Sequence, residues 1–127
     1  MFSGCAMRSV LISLLLLLAT TVHAQTIKIL VHSSPLAGFQ YYEGSAHWKE
    51  MKVGDALLLV REPENPHDAN AVRVEWQGRL LGYLPRAENR SVAAEMDRGA
   101  LVSGRIGEMR EDRSPWRRLL IEVFVTL

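Results

Sequence analysis

Cysteine is nearly absent from this 127-residue sequence, in which the single one, Cys5, lies before an apolar run near the amino terminus. No disulfide can form within the chain, and no cysteine pair is available to hold zinc. The histidines His32, His47 and His67 are scattered, with no two at the spacing that zinc ligands usually show. We therefore expect no metal site and no cofactor, and a domain that its apolar core alone holds together.

The sequence also lacks the usual motifs of catalysis. It contains no GxxxxGK loop that could cradle nucleotide phosphates, which argues against nucleotide hydrolysis by this chain. His67 beside Asp68 is typical of a base with its orienting carboxylate, but the sequence has no nucleophile motif to accompany them. Adjacent side chains also rarely point the same way. We expect a protein that is not an enzyme.

Neither sign of charge is in excess. Removing Arg8, which lies in the leading segment, from the 15 basic residues leaves 14 against 14 acidic residues. A broad phosphate-binding surface would draw its affinity from a large surplus of lysine and arginine. The balance argues against that class of surface and leaves room for a small, focused site.

The first 24 residues have the three parts of a secretory signal. Arg8 supplies the positive part, residues 10–19 the apolar core, and Val22-His23-Ala24 a small-x-small cleavage site before Gln25. We predict cleavage after Ala24 and export to the periplasm or the exterior, which leaves residues 25–127 as one domain. A retained signal anchor stays open, but the apolar run is shorter than the roughly 20 residues that a spanning helix needs, so we expect no stable membrane insertion.

Short apolar runs bounded by turn residues predict a mainly β domain. Residues 71–84 form a hairpin around Gln77-Gly78 in this interpretation, and residues 88–97 are the only helical candidate, with Gly99 placed to end the helix. The other predicted strands are 26–32, 56–61, 101–109 and 119–127, and residues 39–44 continue as an aromatic-rich strand or strand end. Strands so closely spaced leave no room for crossover helices, which predicts a six-stranded antiparallel barrel or sandwich with one short helix, at about 88–98.

The segment from Glu62 to Asn70 concentrates polar chemistry between two predicted strands. Its two prolines fix φ and withhold two amide donors. Asn65 and Asp68 can each cap nearby backbone groups and tolerate unusual dihedral angles. A conformationally locked loop is the simplest interpretation, although a turn alone does not require an imidazole beside a carboxylate.

Three motifs, in order along the chain, carry a resemblance to a known family. YYEG (41–44) comes first, REPENPHDANAVRV (61–74) follows, and LGYLPR (81–86) completes the set. Their order and spacing resemble the HIRAN domain over about residues 26 to 126. The resemblance implies a modified OB-like β-barrel that, in Swi/Snf-type DNA translocases, holds the free 3′ end of single-stranded DNA.

The resemblance also implies the residues of a nucleic-acid-binding site. Tyr41 would stack on a base, while Asn65 and Asp68 would engage the terminal sugar and its 3′-hydroxyl. Tyr83 and Arg86 would lie nearest the phosphate. The set is completed by Gln40 and His67, which stand where the DNA-binding relatives have an arginine and an aromatic residue. The helicase and zinc-bearing modules of the large family members have no counterpart in this sequence, so the resemblance implies neither hydrolysis nor zinc binding.

Two functions stay open at this point. The first is a module that binds single-stranded DNA ends without catalysis. The second is an exported module that uses the same barrel to bind a peptide, a glycan or an extracytoplasmic protein. Among the tryptophans, Trp76 alternates with apolar residues and is predicted in the core, whereas Trp48 is ambiguous. Trp116 is expected to pack where a strand begins, with an exposed cation–π patch with Arg117 as the alternative.

Overall fold

The computed structural model describes residues 26–127, so the predicted signal segment lies outside the described residues. The described chain forms six strands and one α-helix: β1 (Lys28–Pro35), β2 (Ala56–Glu62), β3 (Ala71–Trp76), β4 (Arg79–Tyr83), α1 (Arg90–Asp97), β5 (Leu101–Met109) and β6 (Leu119–Thr126). Single turns of 3₁₀ helix occupy Phe39–Tyr41, Ser45–His47 and Pro115–Arg117. None of the helices in this part of the chain is long and apolar enough to cross a membrane.

The strands pair in the order β1-β6-β5-β2-β3-β4, and every pairing is antiparallel. The sheet closes on itself because the chain just after β1 pairs with β4. There the Ala37 N–H donates to the Tyr83 carbonyl at 2.9 Å, and the Tyr83 N–H donates to the Ala37 carbonyl at 3.0 Å. The predicted six-stranded antiparallel barrel is thereby confirmed.

The β3–β4 hairpin forms as the sequence predicts. Gln77 and Gly78 have φ values of 48° and 77°, which are the two positive dihedrals that a two-residue type I′ turn requires. Val72, Val74 and Trp76 all point into the barrel and are almost completely buried. The indole N–H of Trp76 donates to Asp55 at 3.0 Å, so the polar atom of this core residue has a partner.

The predicted helix is confirmed as α1. Its Val92 and Ala93 are buried, and the helix packs against β3 and β5. Gly99 follows it with a φ of 84° and donates its N–H to the Met96 carbonyl, as expected of a glycine that ends a helix. A two-point ion pair from Arg61 to Asp97 ties the last turn to β2.

The aromatic segment 39–44 is not a strand, and that prediction is wrong. Gly38, with a φ of 79°, turns the chain into the 3₁₀ helix Phe39–Tyr41. Phe39 then drops into the core, where it is only 1% exposed. Gly44 leaves the space for its ring, since a Cβ there would lie 2.1 Å from the ring of Phe39. Burial of Phe39 therefore determines the conformation of this segment, although its residues intrinsically prefer extended structure.

The predicted end of the first strand also needs correction. β1 continues beyond residue 32 to Pro35, because Ser33 and Ser34 pair with Glu122 and Ile121 of β6. The apolar run of β2 is buried on one face only, since Leu58 is 61% exposed. The barrel wall is a single sheet, and nothing covers the outer face of β2 at that point in the described chain.

Candidate nucleic-acid interface

Barrel closure brings the three motif segments together. The pairing of Ala37 with Tyr83 sets the aromatic segment beside the end of β4. At that same end, the Leu84 N–H donates to the Val72 carbonyl at 3.0 Å, which holds the GYLP segment against the start of β3. The loop between β2 and β3 leads into that start, so residues far apart in sequence line one region of the barrel.

Asn65 stabilises the β2–β3 loop through hydrogen bonds within the loop. Its side-chain oxygen accepts from the backbone N–H groups of His67 (2.9 Å) and Asp68 (3.3 Å). Its amide nitrogen donates to the Glu62 carboxylate at 3.0 Å, and its backbone N–H donates to the Glu62 carbonyl. Only one amide hydrogen of Asn65 is left to meet a ligand.

Asp68 connects this loop to the start of α1. One carboxylate oxygen accepts from the Asn70 N–H at 2.9 Å, and the other accepts from the side-chain amide of Asn89 at 2.7 Å. Asn89, the residue that precedes α1, is only 1% exposed. Each carboxylate oxygen retains capacity for a further hydrogen bond, so Asp68 is held in place and can still accept one from a ligand.

The surroundings of Asp68 favour the ionised form of its carboxyl. Burial raises the pKa of Asp68, but the hydrogen bonds from Asn70 and Asn89 and the positive charges of Arg86 and Arg61 outweigh burial, so the pKa lies below its usual value. Asp68 is therefore an acceptor without a proton to donate at neutral pH.

A pH titration tests this environment. Because the pKa of Asp68 is lower in the folded protein than in the unfolded chain, ionised Asp68 stabilises the fold above the ordinary aspartate pKa. That contribution is lost as the pH falls through the lowered pKa. We expect the difference in unfolding free energy between the wild type and Asp68→Asn to stay constant from pH 7 down to about pH 5 and to shrink only in the acid range below. A difference that already shrinks between pH 7 and 5 in denaturant titrations would contradict this assignment.

Tyr83 contacts Glu62 through its hydroxyl and Tyr42 through its ring. Its hydroxyl lies 3.1 and 3.3 Å from the two Glu62 oxygens and donates to this carboxylate. Burial raises the pKa of Tyr83, and the Glu62 carboxylate raises it further. The ring centroids of Tyr83 and Tyr42 lie 6.0 Å apart at an interplanar angle of 58°. The hydroxyl of Tyr83 is thus used within the protein. The rings of Tyr42 and Tyr83 together form what we call the aromatic wall.

The remaining predicted residues lie on the surface around this network. Tyr41 is 78% exposed, and Gln40 and His67 are exposed as well. Arg86 is exposed and forms no ion pair with any described residue, although its charge acts on Asp68. The structure therefore joins Asn65, Asp68 and Tyr83 in one hydrogen-bonded framework and leaves the other four accessible.

Sequence reasoning missed three residues that this framework depends on: Tyr42, Glu62 and Asn89. Tyr42 and Glu62 stand inside the quoted motifs and could have been found there. Asn89 has no such signal, because its contact with Asp68 joins residues 21 positions apart.

Trp116 is placed differently from the preferred prediction. It is 50% exposed, with the Arg117 guanidinium 4.5 Å above its ring. The prediction that it packs on the barrel is wrong, and the alternative of an exposed cation–π patch is confirmed. Trp48 is partly buried and meets the ring of Phe39 edge-on at 6.0 Å. Within residues 26–127, no three side chains of the metal-binding types gather around a common point.

The family is decided by a comparison with known protein families. The model of the HIRAN domain matches residues 29–127 of this chain. The chain belongs to the HIRAN domain family. That match confirms the resemblance carried by the three motifs, and it covers every strand of the barrel except the first residue of β1.

Two solved structures resemble this HIRAN domain. A crystal structure of a protein from Lactobacillus plantarum superposes with a TM-score of 0.71 at 27% identity, covering 80% of this chain and 98% of that chain. The crystal structure of the HIRAN domain of human HLTF superposes with a TM-score of 0.58 at 21% identity, covering 80% and 77%. These likenesses support the OB-like barrel.

A curated protein also matches in sequence. The Fanconi-associated nuclease 1 homolog of Oryza sativa subsp. japonica is 36% identical over 53 residues. The match covers 39% of this chain but only 6% of that protein. This HIRAN domain thus corresponds to a small part of its relative.

Proposed function

We propose that this HIRAN domain binds the end of single-stranded DNA that carries a free 3′-hydroxyl, and that it does so without catalysis. The observation that carries the proposal is the state of Asp68. Its carboxylate is ionised, it is fixed by Asn70 and Asn89, and it keeps lone pairs free. Such a group accepts a hydrogen bond from a hydroxyl and repels a phosphate.

The accessible aromatic surface supports a single-stranded ligand. Tyr41 is 78% exposed, and unpaired bases stack on such rings with about 1–3 kcal/mol per base. The turn that carries Trp116 and Arg117 lies against the Phe39–Tyr41 turn. The neighbouring turn thus carries a second exposed aromatic residue, with a cation stacked on its ring. Bases inside a duplex would offer neither residue a free face.

The charges at the site suit a short contact. Arg86 is the one arginine among the predicted residues; it is exposed, its charge acts on Asp68, and it supplies one charge-assisted bond to a phosphate. Gln40 adds no charge. A protein that contacts few phosphates releases few counterions, so its affinity depends only weakly on salt. Near-neutral charge is therefore compatible with recognition of an end.

Fluorescence anisotropy tests the proposal. The purified protein is titrated against two single-stranded oligonucleotides that differ only in a 3′-hydroxyl or a 3′-phosphate, at low and moderate salt. We expect the hydroxyl form to bind more tightly, with a shallow salt dependence. Equal affinity for the two ends would refute recognition of the hydroxyl. Absence of binding to both would direct the search to a peptide, a glycan or an extracytoplasmic protein.

Removal of the exposed ring has a separate expected result. Tyr41→Ala should weaken binding of the 3′-hydroxyl oligonucleotide about tenfold, which is the lower part of the range for loss of one stacked base. Tyr41→Phe keeps the ring and should bind like the wild type. Thermal unfolding should barely change in either variant, because the side chain is mostly in solvent. Equal affinity of Tyr41→Ala and the wild type would remove Tyr41 from the site.

A further inference from the structure

We propose that Glu62 is a positioning residue that fixes the aromatic wall of the site relative to the loop that carries Asp68. The inference rests on the proposed function, since it concerns the geometry of the same site. Glu62 lies at the end of β2, where the loop begins. Its side chain is 22% exposed. No ligand contact is assigned to Glu62.

Three donors from three different elements converge on this carboxylate. The Asn65 amide reaches it from the loop at 3.0 Å, the Arg73 guanidinium from β3 at 3.0 Å, and the Tyr83 hydroxyl from β4 at 3.1 Å. Each donor belongs to a segment that borders the site. Glu62 therefore links the loop, β3 and β4 to one another through hydrogen bonds to a single carboxylate.

An ionised carboxylate suits this role better than any other side chain of similar size. It offers two acceptor oxygens and no hydrogen, so all three donors can be accepted together. A glutamine has the same shape, but its amide nitrogen would turn two hydrogens toward groups that are themselves donors. At least one of Asn65, Arg73 and Tyr83 would then lose its partner.

The effect of Glu62 reaches both sides of the site. On one side it holds the hydroxyl of Tyr83, whose ring meets Tyr42 at 6.0 Å. On the other side it holds Asn65, whose oxygen orders the N–H groups of His67 and Asp68. The backbone of Tyr83 is fixed separately by Ala37. Loss of the carboxylate would therefore release the ring and the loop while the barrel stays closed.

Glu62→Gln tests the proposal against the matched variant Glu122→Gln. Glu122 lies on β6, outside the three segments, is 20% exposed, and accepts from Arg105 at 3.1 Å. Both substitutions break one ion pair between a glutamate and an arginine. We expect only Glu62→Gln to weaken binding of the 3′-hydroxyl oligonucleotide, by roughly 5- to 30-fold (a hydrogen bond or two), and to reduce the preference for hydroxyl over 3′-phosphate. Similar binding by the two variants would overturn the inference.

A measurement without ligand separates this inference from the proposed function. In the free wild type, NMR should show contacts between the ring protons of Tyr42 and Tyr83, and slow exchange of the His67 and Asp68 amide protons. At least one of these two features should be weakened in Glu62→Gln, and both should be retained in Glu122→Gln. Full retention of both features in Glu62→Gln would overturn the positioning role, whatever the wild type binds. If the wild type binds neither oligonucleotide, the proposed function fails and the NMR comparison still decides on Glu62.

If Glu62→Gln does not fold, Tyr83→Phe provides a second test of the inference. It deletes one of the three donors and leaves the carboxylate, Asn65 and Arg73 in place. We expect a several-fold weaker affinity together with loss of the contact between the rings of Tyr42 and Phe at position 83, while the amide protection of the loop persists. An unchanged ring contact and unchanged affinity would refute the part of the inference that concerns the aromatic wall.

Discussion

Asp68→Ala is expected to weaken binding of a 3′-hydroxyl oligonucleotide by about 10- to 150-fold. A hydrogen bond to a charged group contributes about 1.5–3 kcal/mol, and the substitution removes the acceptor that we assign to the terminal hydroxyl. The preference for hydroxyl over 3′-phosphate should disappear at the same time, because the carboxylate that repels the phosphate is gone. Anisotropy titration with both oligonucleotides measures the two effects together.

The same substitution has a structural cost that must be separated from binding. Asp68 accepts from Asn89, which is buried, and truncation leaves that amide without its partner. Asp97→Ala is the control, since it removes a different aspartate, which pairs with Arg61 and lies outside the proposed contacts. Asp97→Ala should retain wild-type affinity. Were Asp68→Ala to bind as well as Asp97→Ala, Asp68 would have no role in recognition.

Gly82→Ala should lower the stability of the whole domain more than any other single change discussed. A Cβ at this position would lie 2.3 Å from the Ala37 carbonyl oxygen, and that oxygen accepts the hydrogen bond that closes the barrel. The φ of 154° also disfavours any side chain. Overpacking and backbone strain together predict a loss of about 2–5 kcal/mol. For a domain of this size we expect the Tm to fall by at least ~10 °C.

Gly78→Ala provides the control for backbone strain alone. Gly78 also has a positive φ, of 77°, but a Cβ there would have no atom within 4 Å. Thermal unfolding should therefore compare a positive φ without a clash, in Gly78→Ala, with a positive φ and a clash together, in Gly82→Ala. If both lowered the Tm equally, close approach of Ala37 would not explain the glycine in the GYLP motif.

Elements that local chemistry specifies could be predicted from the sequence. The β3–β4 hairpin follows from an alternating strand before Gln77-Gly78 and a short apolar run after it, and α1 follows from apolar spacing ended by Gly99. The aromatic segment could not be predicted in the same way. Its composition favours a strand, but the segment turns so that Phe39 is buried. That burial depends on a cavity that Gly44 leaves open in the folded chain. The serine-rich end of β1 likewise becomes a strand only because β6 lies beside it.

The candidate site was predicted in part. The motifs identified Asn65, Asp68 and Tyr83, which the structure joins in one framework. Within the protein, Asn65 uses most of its hydrogen-bonding capacity to shape the loop, and the hydroxyl of Tyr83 is held by Glu62. The ligand contacts that the resemblance implies for these residues stay predictions. A motif shows which side chains are present, whereas hydrogen-bond partners depend on distances across the barrel.

The sequence by itself determined the family, the barrel class, the hairpin, the helix and the segments that carry the site, since each of these depends on short-range pattern or on the order of motifs. Only the tertiary structure decided that Ala37 closes the barrel on Tyr83, that Glu62 gathers three donors, and that buried Asn89 holds Asp68. Among these contacts, Glu62–Arg73 joins residues 11 positions apart, and Ala37–Tyr83 joins residues 46 positions apart. They form because folding excludes water from polar groups, which must then find partners wherever the chain brings them together.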